Sequence, residues 1–194
     1  MSLKRLIGLI DPFVVGLGLI LFGLDQLSKY LIVQAIGPSA TRHSIDVLGT
    51  FLRFAYTTNT GAVFGTFHGG VGILAVVSLV AAPIILFSRA YFPSDRWFVR
   101  VSIGLLFAGD LGNMADRWLR GYVVDFIDMG IGNLRWYTYN IADASFVVGV
   151  IMLLFAMIFL PEDQPNEDQP NEDQPGEKVA EGGTDATDGV TRPS

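Results

Sequence analysis

Two aspartates stand at the edges of apolar stretches long enough to cross a bilayer. Asp125 lies in Val123-Val124-Asp125-Phe126, and Asp143 closes Tyr139-Asn140-Ile141-Ala142-Asp143 at the start of the last hydrophobic run. Holding an ionisable group at membrane depth costs roughly 2.5–3.5 kcal/mol on insertion scales. A chain that keeps several such groups is using them. Two carboxylates in one apolar site are the minimum equipment of an aspartic peptidase. One must be ionised to take a proton from water, the other protonated to polarise the scissile carbonyl, and close carboxyls divide those roles because both cannot ionise easily. The plainer alternative is that each aspartate caps a helix or pairs with an arginine. Asp143 lies near a helix start, where a carboxylate is favourable anyway.

Other polar residues keep to the same part of the chain. Asn113, Asp116 and Arg117 fall in "AGDLGNMADRW" at spacings that share a helical face. Gly109 and Gly112 beside them permit close approach between helices. Asp116 and Arg117 could equally neutralise charge within a bundle, since intramembrane charges tend to pair. Asp25 and Lys29 are an i,i+4 pair in the favourable order, acid first. Asn59 sits in "NTGAVFG", a Gly-flanked turn whose signal is weak on its own.

Composition narrows the chemistry further. There is no cysteine, so disulfides, thiol nucleophiles and thiolate metal sites are excluded together. The two histidines, His43 and His68, stand in no metal-ligand spacing, and their scarcity also counts against a Ser–His–Asp triad. Neither a metal nor a cofactor is expected. Hydrophobic residues make up 51% of the chain and the mean hydropathy is +0.44, as for a membrane protein. The net charge of −6 describes the tail. Residues 161–194 carry ten acids and two bases, whereas residues 1–160 carry nine acids and eleven bases.

Four spans are expected to position these groups, at about 12–36, 70–87, 97–118 and 141–160. The basic N-terminus and the run from Pro12 to Leu24 could pass for a signal peptide. No A-x-A-like cleavage site follows and further spans lie downstream, so the run reads as the first transmembrane helix. Four antiparallel spans bring the polar ends of the first and third and the polar start of the fourth to one membrane face. Lys4, Arg5, Arg89, Arg96 and Arg100 crowd the short segments on the terminal side, against Arg42, Arg53, Arg120 and Arg135 on the other. That bias places both termini in the cytoplasm and the polar cluster outside. The loop 37–69 contains "DVLGTFLRFAYTT", two short strands around Leu48-Gly49-Thr50, and the segment 120–138 is a second candidate platform. The expected fold is thus a mainly α membrane protein. It has four transmembrane helices in a domain over 1–160, a small extracytoplasmic β platform, and a disordered C-terminal tail over 161–194. The tail opens on the acidic, proline-punctuated repeat "PEDQPNEDQPNEDQP".

The ordered set "DQLSKYLI", "NTGAVFG", "AGDLGNMADRWLRGYVVDFID" and "YNIAD" resembles the lipoprotein signal peptidase family, also called signal peptidase II, over roughly residues 10 to 160. The resemblance implies an intramembrane aspartic endopeptidase of the bacterial cytoplasmic membrane. Such an enzyme cleaves prolipoproteins on the N-terminal side of a diacylglyceryl-modified cysteine, among membrane lipids, and is inhibited by globomycin-type cyclic peptides. It implies Asp125 and Asp143 as the catalytic pair. Asn59, Gly109, Asn113, Asp116, Arg117, Asn140 and Ala142 would shape the site or bind substrate, with support from Asp25 and Lys29. No nucleic acid is implied. The sequence departs from the family pattern at Ala108, at Tyr139, at Val63 and at Asp110, where a small apolar residue is commoner. A proton-coupled transporter using the same acids as a relay, or a non-catalytic lipoprotein-binding scaffold, are the alternatives. Residues 1–160 show no internal repeat of the kind transporters carry.

Overall fold

The computed structural model describes residues 10–41, 44–61, 70–92 and 96–159. The chain divides into Met1–Pro161 and Glu162–Ser194, and all described residues belong to the first unit. The acidic tail expected to be disordered, with His43, His68 and the basic residues of the N-terminus, lies outside the described residues.

Helix α1 runs over Pro12–Ile36. Asp11 caps it, its carboxylate accepting from the Phe13 N–H at 2.9 Å, and Pro12 fills the first helical position, where a missing N–H costs nothing. Helix α2 spans Gly70–Ser88 and passes into a 3-10 turn at Arg89–Tyr91. Helix α3 spans Trp97–Arg120 and stops at Gly121, whose φ of 75° gives the left-handed cap that a β-carbon disfavours. Helix α4 spans Ile141–Phe159. All four are long and apolar enough to cross a membrane.

Their burial is unequal. In the most apolar stretch of α3, 56% of residues are buried inside the protein, against 17–22% in the other three, so α3 is the hub on which the rest pack. The large side chains of the outer helices point away: Leu19, Ile20 and Leu31 on α1, Ile73, Val76 and Ile84 on α2, Val147, Ile151 and Ile158 on α4 are all exposed. In a bilayer these surfaces meet lipid, which solvates them as well as a protein core would. The α3–α4 seam is built instead from small residues. A β-carbon at Gly109 would lie 2.6 Å from the Ala142 carbonyl oxygen, and one at Gly149 would lie 2.9 Å from that of Ser102.

Strands β1 (Ser44–Leu48), β2 (Leu52–Asn59), β3 (Val123–Ile131) and β4 (Leu134–Arg135) form one antiparallel sheet in that order. The two platforms anticipated separately are therefore one. An irregularity between Phe54 and Thr57 shifts the β2–β3 register, after which Thr57 opposes Asp125 and Asn59 opposes Val123. Beyond β4 the chain turns back, and the Tyr139 carbonyl accepts from Phe126 N–H at 3.0 Å and Ile127 N–H at 2.7 Å. That return sets Asn140 beside Asp125 and opens α4 at the same end of the bundle where α1 and α3 finish.

Candidate active site

Asp125 is the third residue of β3 and is 1% exposed. Asp143 lies in the first turn of α4, half-buried. Asn140 joins them. Its side-chain N–H₂ donates to Asp125 Oδ1 at 2.7 Å, while its backbone N–H donates to Asp143 Oδ2 at 3.3 Å. Its side-chain oxygen accepts from the Asp143 N–H at 2.8 Å, which makes Asn140 also the cap of α4. Asn113, from α3, donates to Asp143 Oδ1 at 2.7 Å and accepts from Asn140 at 3.2 Å. Asn59, at the end of β2, donates to Asp125 Oδ2 at 3.0 Å. The Gly61 N–H binds the Asn59 side-chain oxygen at 2.8 Å and so turns its amide toward the acid. Gly61 has φ of 75°, the conformation this turn requires.

Both carboxylates are thus held by neutral amides, with no cation bonded to either among the described residues. Burial pushes the Asp125 carboxyl up to about 6, and the charge of Asp143 pushes the same way, against the hydrogen bonds from Asn59 and Asn140 that favour the ionised form. Asp143 opens onto a cleft of about 650 Å³ between the sheet and α4, walled by Phe51, Met129, Leu134, Trp136, Tyr139 and Val147. The cleft is apolar apart from the acid and Arg135, a setting for a hydrophobic ligand with one polar reacting centre.

A second polar group lies behind the first. Lys29 Nζ is 2.7 Å from Asp25 Oδ2 and 3.0 Å from Asp116 Oδ2, and all three side chains are 0–1% exposed. The ammonium is held by charge rather than by well-aligned hydrogen bonds. Asp25 Oδ1 accepts from the Ala142 N–H at 2.9 Å, and Asp116 Oδ2 accepts from the Val124 N–H at 3.0 Å. Ala142 and Val124 are the residues immediately before Asp143 and Asp125. Gly112 makes room for this, since a β-carbon there would lie 2.7 Å from both Asp25 Oδ2 and the Ala142 side chain.

The helix face expected to hold Asn113, Asp116 and Arg117 together is divided. Asn113 turns to Asp143, and Asp116 turns to α1. Asp116 is not neutralised by Arg117, its sequence neighbour; it takes Lys29 and, one turn on, Arg120. Successive residues on a helix point about 100° apart, so neighbours cannot pair easily. Nor is Asp25–Lys29 a self-contained pair, because Asp116 completes it. Arg117 is half-buried, enters none of the ion pairs among the described residues, and feels Asp143, Asp110, Asp116 and Asp125.

Two positions join the polar network without having been expected there. Gln26 donates to Asp25, Asp116 and the Gly112 carbonyl at 3.1–3.2 Å, linking α1 to α3. Asp128, on β3, ion-pairs with Arg53 of β2 and with Arg135 of β4, and Arg135 also reaches the Thr50 carbonyl. Burial works against ionisation of Asp128, but Arg53 and Arg135 outweigh it and hold the carboxyl below its usual range. Only the opposite charges in neighbouring strands hinted at this clamp, and pairing them needs the register.

The family model for signal peptidase (SPase) II matches residues 17–159. The lipoprotein signal peptidase of Moorella thermoacetica is 38% identical over 156 residues, covering 80% of this chain and 99% of that protein. That of Staphylococcus carnosus is 38% identical over 138 residues, covering 70% and 84%. Among solved structures, a bacterial membrane enzyme determined by the in meso method at 2.3 Å superposes with a TM-score of 0.65 at 28% identity, covering 81% of this chain and 94% of that one. With the four spans and the site in place, these matches establish that the chain belongs to the signal peptidase II family.

Proposed function

We propose that the protein is the intramembrane aspartic endopeptidase that removes signal peptides from prolipoproteins. It cleaves on the N-terminal side of a diacylglyceryl-modified cysteine, with Asp125 and Asp143 as the catalytic pair. The observation that carries this reading is the bridge through Asn140, which binds one carboxylate by its side chain and the other by its backbone. Two acids so tethered beside an apolar cleft are placed to divide the roles of base and acid. The pair activates water for attack on the carbonyl before the lipid-bearing cysteine. The tetrahedral intermediate collapses as a proton passes from the pair to the departing amine.

The cleft supports the substrate assignment. Its apolar wall, continuous with the lipid-facing side of α4 at Val147 and Val148, suits a substrate that arrives laterally with acyl chains attached. Asn59, Asn113 and Asn140 orient the acids; Gly109 and Ala142 permit the α3–α4 approach; Asp25, Lys29 and Asp116 hold the backbone; Arg117 is a donor for substrate carbonyls. The balance of Lys and Arg supports cytoplasmic termini and a site on the extracytoplasmic side of the membrane. A globomycin-type cyclic peptide would occupy the same cleft.

The test is incubation of the purified chain with a lipidated prolipoprotein, with and without globomycin. Cleavage before the modified cysteine, blocked by the inhibitor and lost in Asp125→Asn and in Asp143→Asn while both variants stay folded, is the expected result. Near-normal turnover in either variant would sink the assignment of the pair.

A further inference from the structure

Asp110 is a further carboxylate near the site, beside Asp25 and Asp116, and the one the family pattern does not anticipate. It lies in the middle of α3 and is 8% exposed. Its Oδ2 has no hydrogen-bond partner among the described residues, and the Ser78 hydroxyl of α2 is the polar group beside it. A buried carboxylate oxygen without a partner is costly, more so at membrane depth.

The complementary vacancy is seven residues away. Arg117 Nε is buried and likewise without a hydrogen-bond partner among the described residues. A seven-residue step returns to within about 20° of the same azimuth on a helix. The rise between the two positions is about 10 Å. The Cα–Cβ bonds of a helix lean toward its N-terminus, a direction that favours an Arg117 arm reaching toward Asp110, and the two groups interact electrostatically. Asn113, which binds Asp143, lies one turn from Arg117 on the same helix. Arg117 is therefore under the pull of an unsatisfied acid on its own helix and of Asp125 and Asp143 on the elements facing it.

We propose that Asp110 is a positioning residue for the peptidase reaction, its free oxygen drawing the Arg117 guanidinium along α3 and so setting how closely that cation approaches Asp125 and Asp143. The inference rests on the proposed function and adds a chain-specific determinant to it. The charged groups that bear on Arg117 are Asp110 and Asp116 from its own helix, Asp125 from β3 and Asp143 from α4. Those of α1, Asp25 and Lys29, are engaged with each other and with Asp116. Among the described residues, Asp110 is the one of these acids with a buried oxygen left over. Loss of its charge releases Arg117 to the catalytic pair and favours the ionised form of Asp125.

The experiment is the pH–rate profile of the full chain on a lipidated prolipoprotein. Asp110→Asn moves the profile down by roughly 0.5–1 pH unit, Asp110→Glu restores it, and Ser78→Ala leaves it in place. In an Arg117→Lys background the Asp110→Asn shift shrinks to less than half, because the two effects share one cation. If Arg117→Lys loses turnover, the pH dependence of globomycin binding reads the same carboxylates. An unmoved profile in a folded Asp110→Asn variant overturns the inference. So does a shift of equal size with and without the arginine, or one that Ser78→Ala reproduces. Wild-type turnover is measured first. Its absence overturns the proposed function and this inference with it, whereas an unmoved profile beside normal turnover overturns this inference alone.

Discussion

The side-chain amide of Asn140 donates to Asp125 Oδ1 at 2.7 Å from the position that also caps the helix carrying Asp143. One residue therefore fixes the separation of the two acids and the direction from which Asp143 approaches. Asn140→Ala is expected to lower kcat on a lipidated prolipoprotein by about 10²-fold, with a smaller change in KM, since misplacement of reacting groups by an ångström costs on that order. A KM effect larger than the kcat effect would show that Asn140 serves binding rather than placement.

The buried group of Lys29, Asp25 and Asp116 should be essential to the fold. Removing Lys29 leaves Asp25 and Asp116 buried without their cation, and removing the Asp116 charge takes a partner from both Lys29 and Arg120. Breaking such a buried pair costs about 3–5 kcal/mol. Asp116→Asn and Lys29→Met are expected to lower the thermal unfolding midpoint in detergent and to lose activity with it. Lost activity at an unchanged midpoint would contradict this structural role.

Asp125 should work against stability at neutral pH. Its carboxyl rises from 3.8 to about 6 on folding, so the folded state holds the proton more tightly than the unfolded chain. That contribution is full below 3.8 and is lost as the pH climbs through 6. The ionised form thus costs about 2–3 kcal/mol above that window. Unfolding midpoints of the wild type and of Asp125→Asn, compared between about pH 4 and about pH 8, should show the variant gaining relative stability at the higher pH. A constant difference would mean that burial does not control this acid. In the same experiment Asn59→Ala, which removes a donor to the carboxylate, should move the transition up.

The Asp128 clamp should act on substrate binding. Arg53 and Arg135 tie β2 and β4 to β3, and Arg135 with its neighbour Trp136 walls the cleft. Asp128→Ala is expected to raise KM about tenfold or more while kcat changes less, because the cleft wall loosens but the acids keep their own partners. Because the Asp128 carboxyl is lowered, its stabilising contribution is present above the usual carboxylate range and fades as the pH falls through it. Equal KM values for the two proteins would separate the clamp from the cleft.

Hydropathy made the four spans legible, and antiparallel counting gathered their polar ends, because both depend only on the order of residues along the chain. The pairing of Asp116 with Lys29 and Arg120 in place of Arg117 was not legible, since it depends on the azimuth of α3 against α1. The clamp at Asp128 depends on the β2–β3 register, which a local irregularity at Phe54–Thr57 resets. The role of Asn140 as a bridge needed the return of the chain at Tyr139, a tertiary contact without a periodic signature.

The grip of Asp25 on Ala142 and of Asp116 on Val124 has a consequence for a protease made inside the membrane that houses its substrates. Neither acid of the pair is set until the first, third and fourth helices have met, for the backbone on which each rests is fastened by residues from the other spans. A nascent or half-assembled chain lacks the contacts that hold the two acids in place. The enzyme has the safety that other proteases obtain from a removable pro-segment, and it obtains it from the order of its own assembly.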